Sequence, residues 1–197
     1  MPFKRYTELY SDAAQATVEL LADADVHNGE LSIGLSTRED VIKASAWRGI
    51  IDIKGVEREP PNGGWDWNAL FKGQLKAPKR YCVSIRWNDC LCGILLGGIS
   101  KGKDVVSIHY LETPPEMTPL SAQIVPVSVA FSAVLGSRVN ASYLAVYGPN
   151  DAMTERLERD FGFEKITPYG YRHDGNAPLY RAVSDCCLLY TSDAADE

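Results

Sequence analysis

The chain has 197 residues, 45% of them hydrophobic and 23% charged, with a formal net charge of −6. That length suits one well-packed domain and is short for two. A net negative chain without a basic run excludes a mainly electrostatic nucleic-acid binder, and no apolar stretch approaches the ~20 residues that span a bilayer as a helix. The N-terminus, Met1-Pro-Phe-Lys-Arg-Tyr6, lacks the apolar core of a signal peptide, so the expected compartment is the cytoplasm.

Thr7 to Ala24 carries Leu9, Ala13, Ala16, Leu20 and Ala24 at near-helical spacing and predicts an amphipathic helix, with Ser11-Asp12 as an alternative cap inside it. Ser36-Thr-Arg-Glu39 has the form of a capping box and opens a helix through about Ala46. Trp47 to Val56, with Ile50, Ile51 and Ile53, reads as a strand, and the breaker-rich Glu57-Arg-Glu-Pro-Pro-Asn-Gly-Gly64 as an exposed loop. Trp65 to Lys72 is a short helix with two tryptophans at its mouth. Such a pair can stack on a flat ligand, but large aromatics more often close the edge of a core, and that reading is preferred.

Tyr81 to Trp87 alternates, with Tyr81, Val83, Ile85 and Trp87 on one face and Cys82, Ser84 and Arg86 on the other. Asn88-Asp89 turns the chain into an apolar strand, Cys90 to Ile99, and Ser100-Lys-Gly-Lys103 turns it again into Asp104 to Glu112. These strands form an antiparallel meander. Cys82, Cys90 and Cys92 lack a second ligand pair for zinc, and Cys90 and Cys92, two apart on one face, are poorly placed to bridge each other. Reduced, buried thiols and no metal site are expected.

Beyond the turn at Thr113-Pro-Pro-Glu116, the apolar run Pro119 to Leu135 predicts a helix capped by Thr118 and stopped by Gly136. Pro126 requires a kink or a later start. Tyr143 to Tyr147 is a further strand, followed by Gly148-Pro-Asn150 and an amphipathic helix, Asp151 to Asp160, closed by Phe161-Gly-Phe163 with Gly162 free to take positive φ. Lys165 to Tyr171 and Leu179 to Val183 read as two more strands. The fold class is therefore α/β (α+β): a mixed sheet in which an antiparallel meander is followed by β-α-β-α-β-β, with helices on both faces. The 104–112 and 143–147 strands should be parallel neighbours, with Leu111 near Tyr143, because the helix between them must cross over the sheet.

This order of elements resembles the GNAT superfamily, the acyltransferases that use acetyl-coenzyme A. Leu157-Glu-Arg-Asp-Phe-Gly-Phe163 is similar to the Leu-Tyr-Glu-Lys-Leu-Gly-Phe ending of the family's last helix, and Asn150 precedes that helix at the close of a strand. The resemblance covers roughly Arg80 to Val183. It implies one acyltransferase-like domain over 1–185, made of an N-terminal helical part (1–79) and a GNAT-like core (80–183). The remaining 186–197 is set aside as a non-native tail, since Cys187 to Glu197 resembles the in-frame translation of a sequencing adaptor.

In this family a splayed strand end meets the pantetheine arm and the next helix points its amides at the pyrophosphate. Carried onto this chain, the resemblance implies acetyl-CoA contacts at Tyr110 and Leu111, at the helix mouth of Thr118, Leu120, Ser121 and Ala122, and at Asn150. The family's usual loop (Gln or Arg, two residues, Gly, one residue, then Gly or Ala) is replaced by Glu116-Met-Thr-Pro-Leu-Ser121. Pro119 has no N–H for a phosphate, and Glu116 carries the wrong charge. The family's frequent general acid, a Tyr four residues before Gly-Phe, is Glu158 here. Glu112, at the strand end, is the candidate base for a substrate ammonium, directly or through water, and Tyr147 is a substitute acid. His109 would point to the opposite face from Glu112 in a regular strand, and a structural role is preferred for it; His173 reads as surface loop. The implied activity is N-acyl transfer from acetyl-CoA to a small-molecule or protein amine by a monomer or homodimer, with no nucleic-acid or membrane partner. The alternative is a non-catalytic GNAT-shaped binding module that has lost coenzyme A.

Overall fold

The computed structural model describes residues 2–23, 30–60, 63–74, 76–165 and 178–186. Their elements, in order, are α1 (Pro2–Asp23), β1 (Leu31–Leu35), α2 (Arg38–Ser45), α3 (Trp67–Gln74), β2 (Arg80–Trp87), β3 (Cys90–Ile99), β4 (Val105–Glu112), α4 (Ile124–Val139), β5 (Tyr143–Val146), α5 (Asp151–Phe161), β6 (Leu179–Ala182) and α6 (Val183–Cys186). The strands form one sheet in sequence order, β1 to β6. Every neighbour pair is antiparallel except β4–β5, which α4 joins as a parallel crossover. The tail from Cys187 and the expected strand beyond Lys165, His173 included, lie outside the described residues.

Alternation in β2 places Tyr81 and Val83 in a core with Tyr10 and Ala13 of α1, Val129 and Phe131 of α4, and Leu157 and Phe161 of α5. The opposite face of the same strands contributes Cys82, Ile94 and Leu96 to a second core with Val41, Ala44 and Trp67 of α2 and α3. Both faces of the sheet are therefore dry, which explains the nearly continuous burial along β2 and β3.

Several local expectations shift by a few residues, each for a visible reason. The capping box of α2 uses Thr37 and Asp40, one residue later than Ser36 and Glu39: Thr37 N–H donates to Asp40 Oδ2 at 2.8 Å, and Asp40 N–H to Thr37 Oγ1 at 3.2 Å. Ser36 is buried, and its hydroxyl accepts from Ser84 Oγ. Residues 47–56 are not a strand. Asp52 Oδ1 accepts from the N–H groups of Lys54 and Val56, closing a turn, and Ile51, Ile53 and Val56 stay exposed. β1 is a strand the sequence reading did not assign, and it pairs antiparallel with β2.

Asp66 Oδ1 accepts from Ala69 N–H, so α3 begins at Trp67 instead of Trp65. The helix expected from Pro119 begins at Ile124 after turns over 119–123, which leaves Pro126 in the first turn where no N–H is needed. Gln123 is its N-cap, without a side-chain hydrogen bond, in place of Thr118. Gly136 does not stop this helix, which ends at Asn140 with φ +55°. A Cβ at Gly136 would sit 2.9 Å from Val183, so the glycine admits α6 against α4. Gly162 takes φ +60° at the end of α5, as its position suggested.

Candidate active site

β4 and β5 are parallel neighbours, but only over a short register: Val105 lies opposite Tyr143 and Ile108 opposite Val146. Leu111 is therefore beyond the end of β5 and not beside Tyr143. The last bond between them is Tyr147 N–H to Ile108 O, after which β4 continues to Glu112 paired, among the described residues, only with β3. The parting strands open a cleft of about 420 Å³. On one side it is walled by Ser121, Ile124, Ser128, Met153 and Arg156 of the α4–α5 layer, and on the other by Lys54, Arg58, Gly63 and Trp65.

An irregularity in the β3–β4 ladder decides what β4 presents to this cleft. Leu96 pairs with Tyr110 and Gly97 with Ile108, so His109 is the extra residue of a bulge. One inserted residue resets the alternation of side chains. Val106 and Ile108 point into the α1–α4 core and Leu111 packs on the same side, while Tyr110 and Glu112 turn toward α3. His109 bonds Ser107 Oγ through Nε2 at 2.9 Å and so stands on the same face as Glu112, contrary to the expectation for a regular strand. Its ring stacks on Tyr147 at 4.7 Å. Burial, reinforced by the nearby Arg80 charge, pushes its pKa down to about 4, so the imidazole is neutral at neutral pH.

Glu112 is 2% exposed, and its carboxylate is held from three directions. Oε1 accepts from Gly64 N–H at 2.7 Å, and Oε2 accepts from Trp67 Nε1–H at 2.6 Å and, at 3.4 Å, from Trp65 N–H. Arg58 Nε approaches Oε1 at 3.6 Å. These contacts draw Arg58 and residues 63–65 onto the sheet, so Gly63 and Gly64 are buried where an exposed loop was expected. The two tryptophans divide the roles considered for them. Trp67 is fully buried core, and Trp65 lines the cleft with its ring 5.0 Å from Tyr110.

Among the other residues singled out by sequence, Tyr110, Leu111, Ser121, Tyr147 and Asn150 line the cleft together with Glu112. Asn150 is also the N-cap of α5, its side chain accepting from Met153 N–H. Thr118 N–H donates to Ser121 Oγ at 2.7 Å, Leu120 is buried under α4, and the Ala122 carbonyl accepts from Arg156. Glu158 lies on the outer face of α5, ion-paired with Lys165, and does not line the cleft. Glu116 is exposed near Cys90, also away from the cleft wall. Sequence reasoning passed over Lys54, Arg58 and Arg156, since single cations in a loop or on an amphipathic helix carry no local signal. The adjacent Gly63-Gly64-Trp65 was the available clue.

No family model matches the sequence, and no curated protein matches it. Solved structures do match its fold. The spermidine N-acetyltransferase from Vibrio cholerae in complex with CoA and spermine superimposes with a TM-score of 0.55 at 12% identity, covering 81% of this chain and 99% of that one. RimJ from Mycobacterium smegmatis in complex with CoA-disulfide gives 0.52 at 11% identity, over 81% and 87%. The ribosomal-protein-S18-alanine N-acetyltransferase from Escherichia coli gives 0.51 at 12%, over 78% and 94%. The chain thus has the fold of the GNAT acetyltransferases, as the order of its elements implied. Among the described residues no helix is long and apolar enough to cross a membrane, and no group of three or more His, Cys, Asp or Glu is placed to hold a metal ion.

Proposed function

We propose that this chain is an N-acetyltransferase that moves an acetyl group from acetyl-CoA to an amine. The observation that carries the reading is the cleft opened where β4 parts from β5, because β4 backbone beyond Ile108 has, among the described residues, no strand partner on that side. Such backbone can bond an extended amide-bearing arm as a missing strand would. The α4–α5 side suits the rest of the cosubstrate. Arg156 lies beside the start of α4, its Nη2 donating to Ala122 O at 3.0 Å, and brings positive charge to the place where the family's basic loop residue is missing.

In the reaction, the amine nitrogen bonds to the acetyl carbon as the carbon–sulfur bond breaks, and the substrate ammonium gives up two protons in all. One leaves before attack, the other as the amide forms; one is returned to the departing thiolate, and one goes to solvent. Glu112 is the proposed first acceptor, through the remaining lone pair of Oε1 or an intervening water. Tyr147, at the cleft beside the neutral His109, is the proposed donor to sulfur. Tyr110, Leu111, Ser121 and Asn150 are the proposed cosubstrate contacts. A cytoplasmic location and residues 1–185 as one catalytic unit belong to the same proposal.

A specific observation favours a second reading, a binding module that has lost coenzyme A. The N–H groups of Thr118, Ser121 and Gln123 are consumed within the 118–123 turns, and Pro119 has none, so few amides remain for a pyrophosphate. Calorimetric titration with acetyl-CoA separates the two. Saturable binding in the micromolar to millimolar range, with thiol release on adding an amine, supports the enzyme. Absence of heat at millimolar ligand refutes it and leaves the binding module.

A further inference from the structure

We propose that the acceptor amine carries its own carboxylate, being an amino acid and not a polycationic amine, and that Arg58 binds that carboxylate. The inference rests on the acetyl-transfer reading. If the α4–α5 side takes the cosubstrate, the acceptor enters on the opposite side, walled by Lys54, Arg58, Gly63, Trp65 and Glu112.

The charge on that wall is unusual for an amine site. Among the described residues its one carboxylate, Glu112, is already bonded by Gly64, Trp65 and Trp67 and sits beside a guanidinium, so it has little left to attract a polycation. Against it stand two cations, Lys54 and Arg58. The Arg58 side chain is only 11% exposed, yet its buried Nε has no hydrogen-bond partner among the described residues, since Glu112 Oε1 at 3.6 Å is beyond bonding distance. A buried donor left unpaired is costly, and a guanidinium fork matches a carboxylate in two-point geometry.

The backbone at Gly63 closes on the same two groups. Gly63 has φ +105°, and a Cβ there would lie 3.0 Å from Arg58 Nε, 3.1 Å from its Nη2 and 3.1 Å from Glu112 Oε1. Even a methyl group there would crowd both, so glycine is what allows the backbone this close to guanidinium and carboxylate, at the cleft wall that all three residues line. In an α-amino acid one carbon separates ammonium from carboxylate. A molecule whose carboxylate rests on Arg58 therefore carries its nitrogen toward Glu112 Oε1, where the proposed base needs it.

The test compares lysine with cadaverine and phenylalanine with phenethylamine, pairs that differ by the carboxylate alone, and adds spermidine as a polycation. Thiol release from acetyl-CoA gives turnover, and quenching of tryptophan fluorescence in the presence of CoA gives binding without chemistry. The expected result on the unsubstituted protein is at least tenfold higher kcat/KM, and tighter binding, for the amino acid of each pair. Arg58→Gln should bring that ratio close to one through KM while leaving the CoA titration unchanged; Arg58→Lys, which keeps the charge that neutralises Glu112, should retain only part of the preference. Equal or better use of the decarboxylated amines or of spermidine overturns the proposal, as does failure of the amino acids to quench. CoA binding without any carboxylate preference defeats this inference alone, whereas no CoA binding defeats the acetyl-transfer reading and this inference with it.

Discussion

Replacing Glu112 with Gln tests whether the carboxylate at the end of β4 holds the cleft together as well as serving chemistry. Among the described residues the groups that hold it are all donors: the N–H of Gly64 and of Trp65, the indole of Trp67 and the guanidinium of Arg58. An amide has one acceptor oxygen. If that oxygen takes the Oε2 position and keeps the two tryptophan donors, the amide NH₂ must face Gly64 N–H, and a 2.7 Å charge-assisted bond is replaced by two opposed donors. Arg58 also loses its counter-charge. A hydrogen bond to a charged group contributes about 1.5–3 kcal/mol and a buried unsatisfied donor costs a similar amount, so a loss of about 2–4 kcal/mol is expected. For a chain of this size that is a fall in melting temperature of about 5–15 °C. Scanning calorimetry at neutral pH measures it. CoA affinity, which depends on the α4–α5 side, should stay within about twofold, while turnover well below the new melting temperature should drop if Glu112 is the base. A melting point lowered by less than about 2 °C would show that the donors find water instead, and the argument from enforced burial would fail.

Three further outcomes are expected. His109 is pushed from 6.5 down to about 4 by burial, so the unfolded chain binds the extra proton first, and stability present above pH 6.5 is lost as the pH falls toward 4, by ~3 kcal/mol at most. In urea titrations at pH 7 and pH 4.5, His109→Gln should lose less stability than the natural chain across that window; an equal loss would contradict the assignment. Burial opposes the charge on Asp40, but Thr37 N–H and Arg86 hold its carboxyl below the usual range, so its contribution is present above that range and fades as the pH drops. Asp40→Ala removes the Asp40 half of the capping box and the Arg86 partner and should cost about 2–4 kcal/mol by denaturant midpoint, with a change below about 0.5 kcal/mol counting against it. Arg156→Ala should weaken coenzyme A by about fivefold, the ~1 kcal/mol of a part-exposed charge contact, whereas Glu116→Arg should change it by less than about twofold because Glu116 sits near Cys90. Calorimetry that ranks these two variants in the opposite order would move the pyrophosphate away from α5.

From β2 to α5 the order and type of elements were legible because they depend on local periodicity, whereas β1 and the turn at 52–56 were not. Alternation at 81–87, the turns at 88–89 and 100–103, and the crossover from β4 through α4 to β5 fixed the meander and its one parallel pair, and the Gly-Phe ending of α5 fell where its φ required. Boundaries that depend on which donor finds which acceptor were not legible. Thr37 outcompetes Ser36 as a cap only because Ser36 is buried against Ser84, a residue 48 positions away. Gly136 stays inside a helix because α6 packs on it. The site shows the same division. Residues at strand and helix ends, Tyr110, Glu112, Tyr147 and Asn150, were nominated through the family resemblance that the order of elements carries, and they line one cleft. The bulge that turns His109 to the face of Glu112, and the folding of residues 63–65 onto that carboxylate, arise from ladder mismatch and long-range hydrogen bonds that no sequence window contains. Tertiary structure alone decided the charge of the cleft, because it depends on which isolated cations are carried to a common wall.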